Sequence, residues 1–386
     1  MKIGFDISQT GAHKAGCGYF ADCMIQALTR LDQENDYILY PHFGTTFWDP
    51  DADQATRKID LPHVSRIRIG RDFWGAMAFW SRLPSDAEHR LGDPDIIHCN
   101  NYYCPKGMGA RVVYTLYDLN FLEYPELTTE ENRYNCFEGV FDATIYADFI
   151  ISISQYSRNK FLETFPHYPR DRIQVVPLGS RFSGESLGVN ETEVKGLEPR
   201  GFWLAVGTLE PRKNLRRLLK AFADYVDGTH EAYPLALAGG KGWLEEDLEE
   251  FIETLGLSNR VRILGYVTDS ELMWLYRNCF CFVYPSLYEG FGLPVVEAMG
   301  QGAAVITSDK TSLPEVAGDA AHYVDPLQEQ DITQAFVRMR SDRSYRQTLR
   351  NKAGIRAKRF SWKQSARKVL DIYNRVMALP KWGAGK

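Results

Sequence analysis

The chain has 386 residues, a hydrophobic fraction of 44%, a charged fraction of 25% and a formal net charge of −5. That length is more than one core comfortably serves and predicts two domains. The mildly acidic balance, with no basic block, excludes nucleic acid as the expected partner. The seven cysteines are odd in number, scattered and without a C-x-x-C pair, which predicts free thiols in a reducing compartment, so the cytoplasm is the expected location. The opening MKIGFDISQ reads as a strand and loop, not a leader, and no apolar run reaches the length of a membrane span.

In chain order, short apolar runs at 3–7, 37–43, 95–99, 111–117, 148–154 and 172–178 read as buried strands, with helical patterns between them such as 17–31 and 131–147. Residues 181–200 lose the alternation and become rich in Ser, Gly and charge, which marks a linker. The alternation then restarts with strands expected at 202–207, 234–239, 260–266, 279–285 and 302–308 and helices near 214–226, 243–255, 269–277 and 294–300. Strand–helix alternation on this scale predicts α/β domains with largely parallel sheets. The expected division is 1–180, the linker 181–200, and 201–360, followed by one amphipathic helix from about 361 to 377.

The stretch YPSLYEGFGLPVVEAMGQG, residues 284–302, carries the strongest chemical signal. A strand enters a turn bearing Glu289, a Gly-bracketed loop follows, and Pro294 marks the start of a helix. The unpaired amides of Phe291, Gly292 and Leu293 at that helix start favour an anion, and Gly290 and Gly292 allow close approach. Glu289 and Glu297 flank them and suit neutral hydroxyls. Phosphate-binding amides between two hydroxyl-binding acids read most simply as a nucleotide-sugar site; the bland alternative is a turn and a buried helix with two solvated acids.

GTLEPRKNL, residues 207–215, adds charge. A strand ends at Gly207, Arg212 and Lys213 follow, and Asn214 looks like an N-cap for the next helix. Two cations beside a helix start could neutralise a diphosphate without a metal. Near the N-terminus, Gly16-Cys17-Gly18-Tyr19-Phe20-Ala21 fits the G-x-G-x-x-A dinucleotide fingerprint, but the loop ahead of it and the lack of an early acid argue against a dehydrogenase. His98 and the pair Asn100-Asn101 end one expected strand, and Tyr117-Asp118 end the next. The D-x-D letters at Asp49–Asp53 and Asp93–Asp95 contain Pro and read as turns, so no metal is expected.

Glu289-x7-Glu297 within EGFGLPVVEA resembles the signature of the retaining GT-B glycosyltransferases of family 4, and GTLEPRKNL, SDKTSLPEVAGDAAHYVDP (308–326) and FSWKQSARKVLDIYNRV (360–376) resemble their counterparts in order. The resemblance implies two Rossmann-like domains facing across a central cleft, with the terminal helix 361–386 crossing back onto the first. It implies a nucleoside-diphosphate sugar as co-substrate and no cofactor. Glu297 would bind the ribose and Glu289 the hexose, while Lys213, Arg212 and the 291–293 amides would hold the diphosphate; Gly207, Gly16 and Gly18 would border the donor. Relatives often carry a further Arg nearer the strand end, where this chain has Thr208, and a His-Asp pair where it has Tyr117-Asp118. A phenol titrates near 10, so Tyr117 is expected to position rather than transfer a proton. Front-face attack with retention is the implied mechanism.

His98, Asn100 and Asn101 are candidates on the acceptor side, and for His98 a structural role, the commoner one for a lone His at a strand end, stands as the alternative. The Trp- and Phe-rich stretch 72–83 leaves three readings open: an acceptor platform, a lipid-facing patch or a packed helix. The GTLEPRKN form resembles mannosyltransferases and favours GDP-mannose, with a glycan or lipid-linked oligosaccharide acceptor in bacterial surface polysaccharide synthesis at the inner membrane face. A UDP-sugar transferase, an epimerase of the same fold and a non-catalytic nucleotide-sugar binder stand as alternatives.

Overall fold

A computed structural model describes residues 1–11, 14, 16–45, 59–70, 72–182, 191–229, 232–240, 242 and 247–382. Asp49–Asp53, residues 183–190 of the expected linker and residues 243–246 of an expected helix lie outside the described residues. The chain divides into two compact units. The first comprises residues 1–125, 129–178 and 361–386; the second comprises 126–128 and 179–360.

The first unit holds seven parallel strands: β1 (Lys2–Asp6), β2 (Asp36–Tyr40), β3 (Val64–Arg66), β4 (Ile96–Cys99), β5 (Arg111–Leu116), β6 (Phe149–Ser152) and β7 (Ile173–Val175). Their order is β3-β2-β1-β4-β5-β6-β7. The second unit repeats the plan with β8 (Trp203–Val206), β9 (Leu235–Ala238), β10 (Val261–Gly265), β11 (Cys281–Tyr284), β12 (Val305–Ser308) and β13 (His322–Val324), ordered β10-β9-β8-β11-β12-β13. Both sheets are Rossmann-like, and all paired strands run parallel.

The central strands are apolar on both faces because helices cover each side, so β4, β6, β9, β11 and β12 are buried at every position. In the second core, Trp203 packs edge-on against Tyr225, Phe280 and Phe336. In the first unit, the helix Trp362–Ala378 buries Ala366, Val369, Ile372, Tyr373 and Val376 and packs against the helix Gly16–Leu31. All seven cysteines are free thiols.

Strand order fixes where ligands can sit. In each sheet the order reverses beside the first strand, between β1 and β4 and between β8 and β11, and the loops leaving such strands open a crevice at their C-terminal ends. The loop after β8 carries Arg212 and Lys213, and the loop after β11 carries Glu289.

Candidate functional site

At the β8/β11 reversal, Gly207 has a φ of 150°, and a Cβ there would lie 3.1 Å from Lys213 Cε. The glycine therefore lets the lysine stem lie against the strand end. A single 3-10 turn, Pro211–Lys213, directs the lysine back towards β11. Lys213 Nζ donates to Glu289 Oε1 at 2.6 Å and to Tyr284 Oη at 2.7 Å, while Tyr284 Oη donates to the same carboxylate oxygen at 2.7 Å. Arg212 Nη1 donates to Glu289 Oε2 at 2.8 Å, and Arg212 Nε lies 2.5 Å from Glu210 Oε1. Two acids and two bases thus form a charge-balanced, largely buried cluster.

Burial alone would raise the Glu289 carboxyl, but Arg212 and then Lys213 outweigh it and hold the pKa at about 2. Glu289 is ionised at neutral pH and serves as a fixed negative acceptor. Burial, reinforced by Arg212, lowers Lys213 against the pull of Glu289. The Glu289 main chain is pinned on both sides, its amide donating to Thr311 Oγ1 at 3.2 Å and its carbonyl accepting from Ser312 Oγ at 2.8 Å.

Gly292 precedes the helix Leu293–Gly300 with a φ of 97°, and Pro294 lies in its first turn. A Cβ at 292 would meet Leu313 Cδ2 at 2.6 Å and force that side-chain end to shift, and the positive φ favours glycine whatever the space. Among the described residues, the amides of Phe291, Gly292 and Leu293 donate to no protein acceptor. Gly290 lies beside them, and unpaired amides at a helix start are the arrangement that the sequence expectation of an anion site requires.

Glu297 lies one turn into the helix, as the spacing suggested, but its carboxylate is engaged within the protein. Its side chain is wholly buried; Oε1 accepts from Arg181 Nε at 2.6 Å, and Oε2 accepts from Arg181 Nη2 at 3.0 Å and from Tyr276 Oη at 3.2 Å. The reason is electrostatic: a carboxylate buried in a helix needs a paired cation, and a forked guanidinium supplies one. Asn214 also departs from expectation. It takes a left-handed conformation, φ 61°, makes no side-chain cap, and instead donates Nδ2 to the carbonyls of Pro285 and Pro326, tying the Glu289 loop to the loop after β13.

In the first unit, the proposed acceptor-side residues are structural in this conformation. His98 is fully buried, its Nδ1 2.6 Å from Tyr373 Oη and its Nε2 2.9 Å from Thr115 Oγ1. Thr115 donates to Asn100 Oδ1, which only accepts, so Thr115 must accept from His98 Nε2–H and Tyr373 must donate to Nδ1. Asn100 Nδ2 completes the chain by donating to the Asp6 carbonyl, while Asn101 is held between Gln9 and Ser8. Burial drives the His98 pKa down to about 3 and keeps the ring neutral. Each of these side chains has its polar atoms consumed within the fold.

Tyr117 is buried as well, donating to the Asn100 carbonyl at 3.0 Å and lying 3.5 Å from the Cys17 carbonyl, edge-on to Phe20. Its hydroxyl positions main chain around the first helix. Asp118 Oδ1 accepts from the Asn120 amide at 3.0 Å. Gly16 is exposed with open space where a Cβ would go, whereas a Cβ at Gly18 would meet the Gln9 carbonyl oxygen at 2.1 Å. Asp93 is engaged by His89 four positions away, and Asp95 accepts from the Lys2 amide on β1. The stretch 72–83 forms the helix Phe73–Arg82, capped by Asp72, with Ala76, Phe79 and Trp80 in the core and Phe73 and Trp74 exposed.

Sequence reasoning passed over Arg181 and Tyr276, which partner Glu297, Tyr284, which partners Glu289, Glu210, which pairs with Arg212, and Asp6, whose carboxyl burial pushes up to about 6. Asp6 had one signal, an acid at the C-terminal end of the first strand, at the reversal point of its sheet. Among the described residues no helix is long and apolar enough to cross a membrane.

Comparison with known proteins places this geometry. Residues 191–358 match the family described as glycosyl transferases group 1, and residues 16–183 match glycosyltransferase family 4. The chain is 35% identical over 284 residues to the O-antigen chain mannosyltransferase B of Escherichia coli, covering 72% of this chain and 74% of that protein. It is 33% identical over 247 residues to the serotype-specific mannosyltransferase WbdA of Escherichia coli, 61% of this chain but only 30% of that longer protein. Among solved structures, sucrose-phosphate synthase from Thermosynechococcus elongatus superposes with a TM-score of 0.75 at 19% identity, over 98% of this chain and 99% of that one. The chain belongs to the group 1, family 4 glycosyltransferases, and is a hexosyltransferase of the GT-B class.

Proposed function

We propose that the protein transfers mannose from GDP-mannose to a hydroxyl of a growing surface polysaccharide, with retention at the anomeric carbon and without a metal. The observation that carries the reading is the cluster of Lys213 and Arg212 on Glu289, beside three amides with no protein acceptor among the described residues. The 35% identity to an O-antigen mannosyltransferase supports the sugar.

Loss of the diphosphate is the hard step, and the site meets it with charge. The 291–293 amides and the helix start receive the phosphate oxygens, and Lys213 and Arg212 turn part of their charge from Glu289 towards them. Glu289, ionised with a pKa of about 2, cannot act as a general acid; it accepts a hydrogen bond from the hexose and offsets positive charge developing at the anomeric carbon. The departing phosphate oxygen takes the acceptor's proton in a front-face attack. Glu297, at the next turn, takes the ribose.

The test is a panel of GDP-, UDP- and ADP-sugars with product analysis of the anomeric linkage, with chelator present and absent. Mannose transfer from GDP-mannose alone, as the α-linked product and unaffected by chelator, is expected. Transfer only from a UDP-sugar would replace the donor, an inverted product would overturn the mechanism, and nucleotide binding without turnover would favour a non-catalytic binder.

A further inference from the structure

The second signature acid is already occupied by the protein itself. A carboxylate offers about four lone-pair positions. In Glu297 three are filled, by Arg181 Nε at 2.6 Å, Arg181 Nη2 at 3.0 Å and Tyr276 Oη at 3.2 Å, and the side chain has 0% exposure. A ribose cis-diol brings two hydroxyl donors, and they cannot both be met while the guanidinium holds both oxygens. The fork of Arg181 presents two parallel donors to one carboxylate, which is the pattern the diol would present.

The third arm of Arg181 points to an outer partner. Nη1 donates at 3.0 Å to Asp269 Oδ1, the first residue of the helix Asp269–Asn278, whose side chain is 40% exposed against 11% for Arg181. One guanidinium therefore bridges a buried acid and a half-exposed one. We infer that Arg181 is an internal stand-in for the nucleoside diol: donor binding shifts its guanidinium off Glu297 and onto Asp269, so that Arg181 and Asp269 set how strongly the enzyme selects a ribose. This rests on the reading that Glu297 binds the ribose. The exchange conserves the hydrogen bonds made to Glu297, since two N–H donors leave as two O–H donors arrive, and Asp269 with solvent takes up the displaced cation. Arg181 is a positioning residue, acting through Glu297.

The test measures binding of GDP and of 2′,3′-dideoxy-GDP to the wild type, Asp269→Asn and Arg181→Lys by calorimetry, or of the uridine pair if the sugar panel selects UDP. Asp269 is half-exposed and the helix is capped by Thr268, so Asp269→Asn keeps the fold. The expected results are a wild type that prefers GDP, an Asp269→Asn variant in which that preference falls about fivefold or more, and an Arg181→Lys variant, with one ammonium in place of the fork, in which it rises. Dideoxy-GDP affinity stays constant throughout, which a merely structural role for either residue would not produce. Equal wild-type affinity for the two nucleotides would overturn the ribose reading of Glu297 and this inference with it. A wild-type preference that neither substitution moves would overturn the exchange alone and leave the ribose reading standing.

Discussion

Lys213 and Glu289 lie 76 positions apart in the chain and meet at 2.6 Å, with Tyr284 Oη within hydrogen-bonding distance of both. The pair joins the loop after β8 to the loop after β11 at the point where the strand order of the second sheet reverses. Charge is stored there in balanced form, which suits the diphosphate donor proposed for this site.

Replacing Glu289 by Gln leaves Lys213 and Arg212 facing a neutral amide. Hexose transfer is expected to fall by about 100-fold or more in kcat/KM, in line with loss of an electrostatic partner in a buried site, while nucleotide diphosphate binding is retained or strengthened because two cations are released. Steady-state kinetics and GDP calorimetry on the same preparation check both halves. Equal losses in the two would mean that Glu289 holds the loop and does not face the sugar.

Gly16 and Gly18 should separate cleanly. A Cβ at 16 meets nothing within 4 Å among the described residues, so Gly16→Ala is expected to be neutral or stabilising by up to about 1 kcal/mol through helix propensity. At 18 the added carbon would sit 2.1 Å from the Gln9 carbonyl oxygen, and Gly18→Ala is expected to cost about 1–3 kcal/mol and to displace the loop after β1. Denaturant unfolding of the two variants gives the comparison.

Tyr373→Phe breaks the chain Tyr373–His98–Thr115–Asn100 at its first link and leaves His98 Nδ1 buried without a donor, a loss of about 1–3 kcal/mol. Tyr117→Phe removes a hydroxyl that bonds only main chain; kcat/KM is expected to stay within about threefold while stability falls by about 1 kcal/mol. A large loss in kcat with unchanged stability would instead put the phenol on a substrate.

The pH dependence has a definite sign. His98 is depressed from 6.5 to about 3, so the unfolded chain binds its proton first, and the stability this group confers is complete above about 6.5 and lost as pH falls towards 3. Asp6 is raised from 3.8 to about 6, so the folded chain binds its proton first and stability falls as pH rises through that window. Between about pH 3.8 and 6 the two slopes oppose each other. Substituting Asp6 by Asn should therefore expose the His98 slope, seen as a steeper fall in urea stability from pH 6 to 4 than in the wild type. Glu289, lowered from 4.5 to about 2, adds a loss of stability below about pH 4.5 in both proteins.

Much of this was legible in the chain, and the reasons differ by element. The long apolar runs at 111–117 and 279–285 predicted β5 and β11 because a parallel strand must be apolar on both faces. β3 and β13 are three residues each, too short to carry a period, and the helices Glu329–Ser341 and Arg343–Ala357 were passed over among their many charges. Glu289, Lys213 and the 291–293 amides were visible because a strand end, a glycine loop and a helix start are local signals. Arg181 was not, since it reaches Glu297 across 116 positions, and His98 reads in the sequence as an acceptor-side candidate because Tyr373, its donor, lies 275 positions away. Local chemistry could be read from the order of residues; pairing across the fold needed the structure.

The most direct test of the account is kcat/KM for mannose transfer from GDP-mannose by the wild type, Lys213→Ala and Lys213→Arg, with unfolding curves on each. Lys213→Ala is predicted to lose about 100-fold or more with its fold intact, and Lys213→Arg to recover part of that, because the charge facing the leaving diphosphate carries the step. A Lys213→Ala enzyme within about twofold of the wild type would contradict the claim that this cluster drives the transfer.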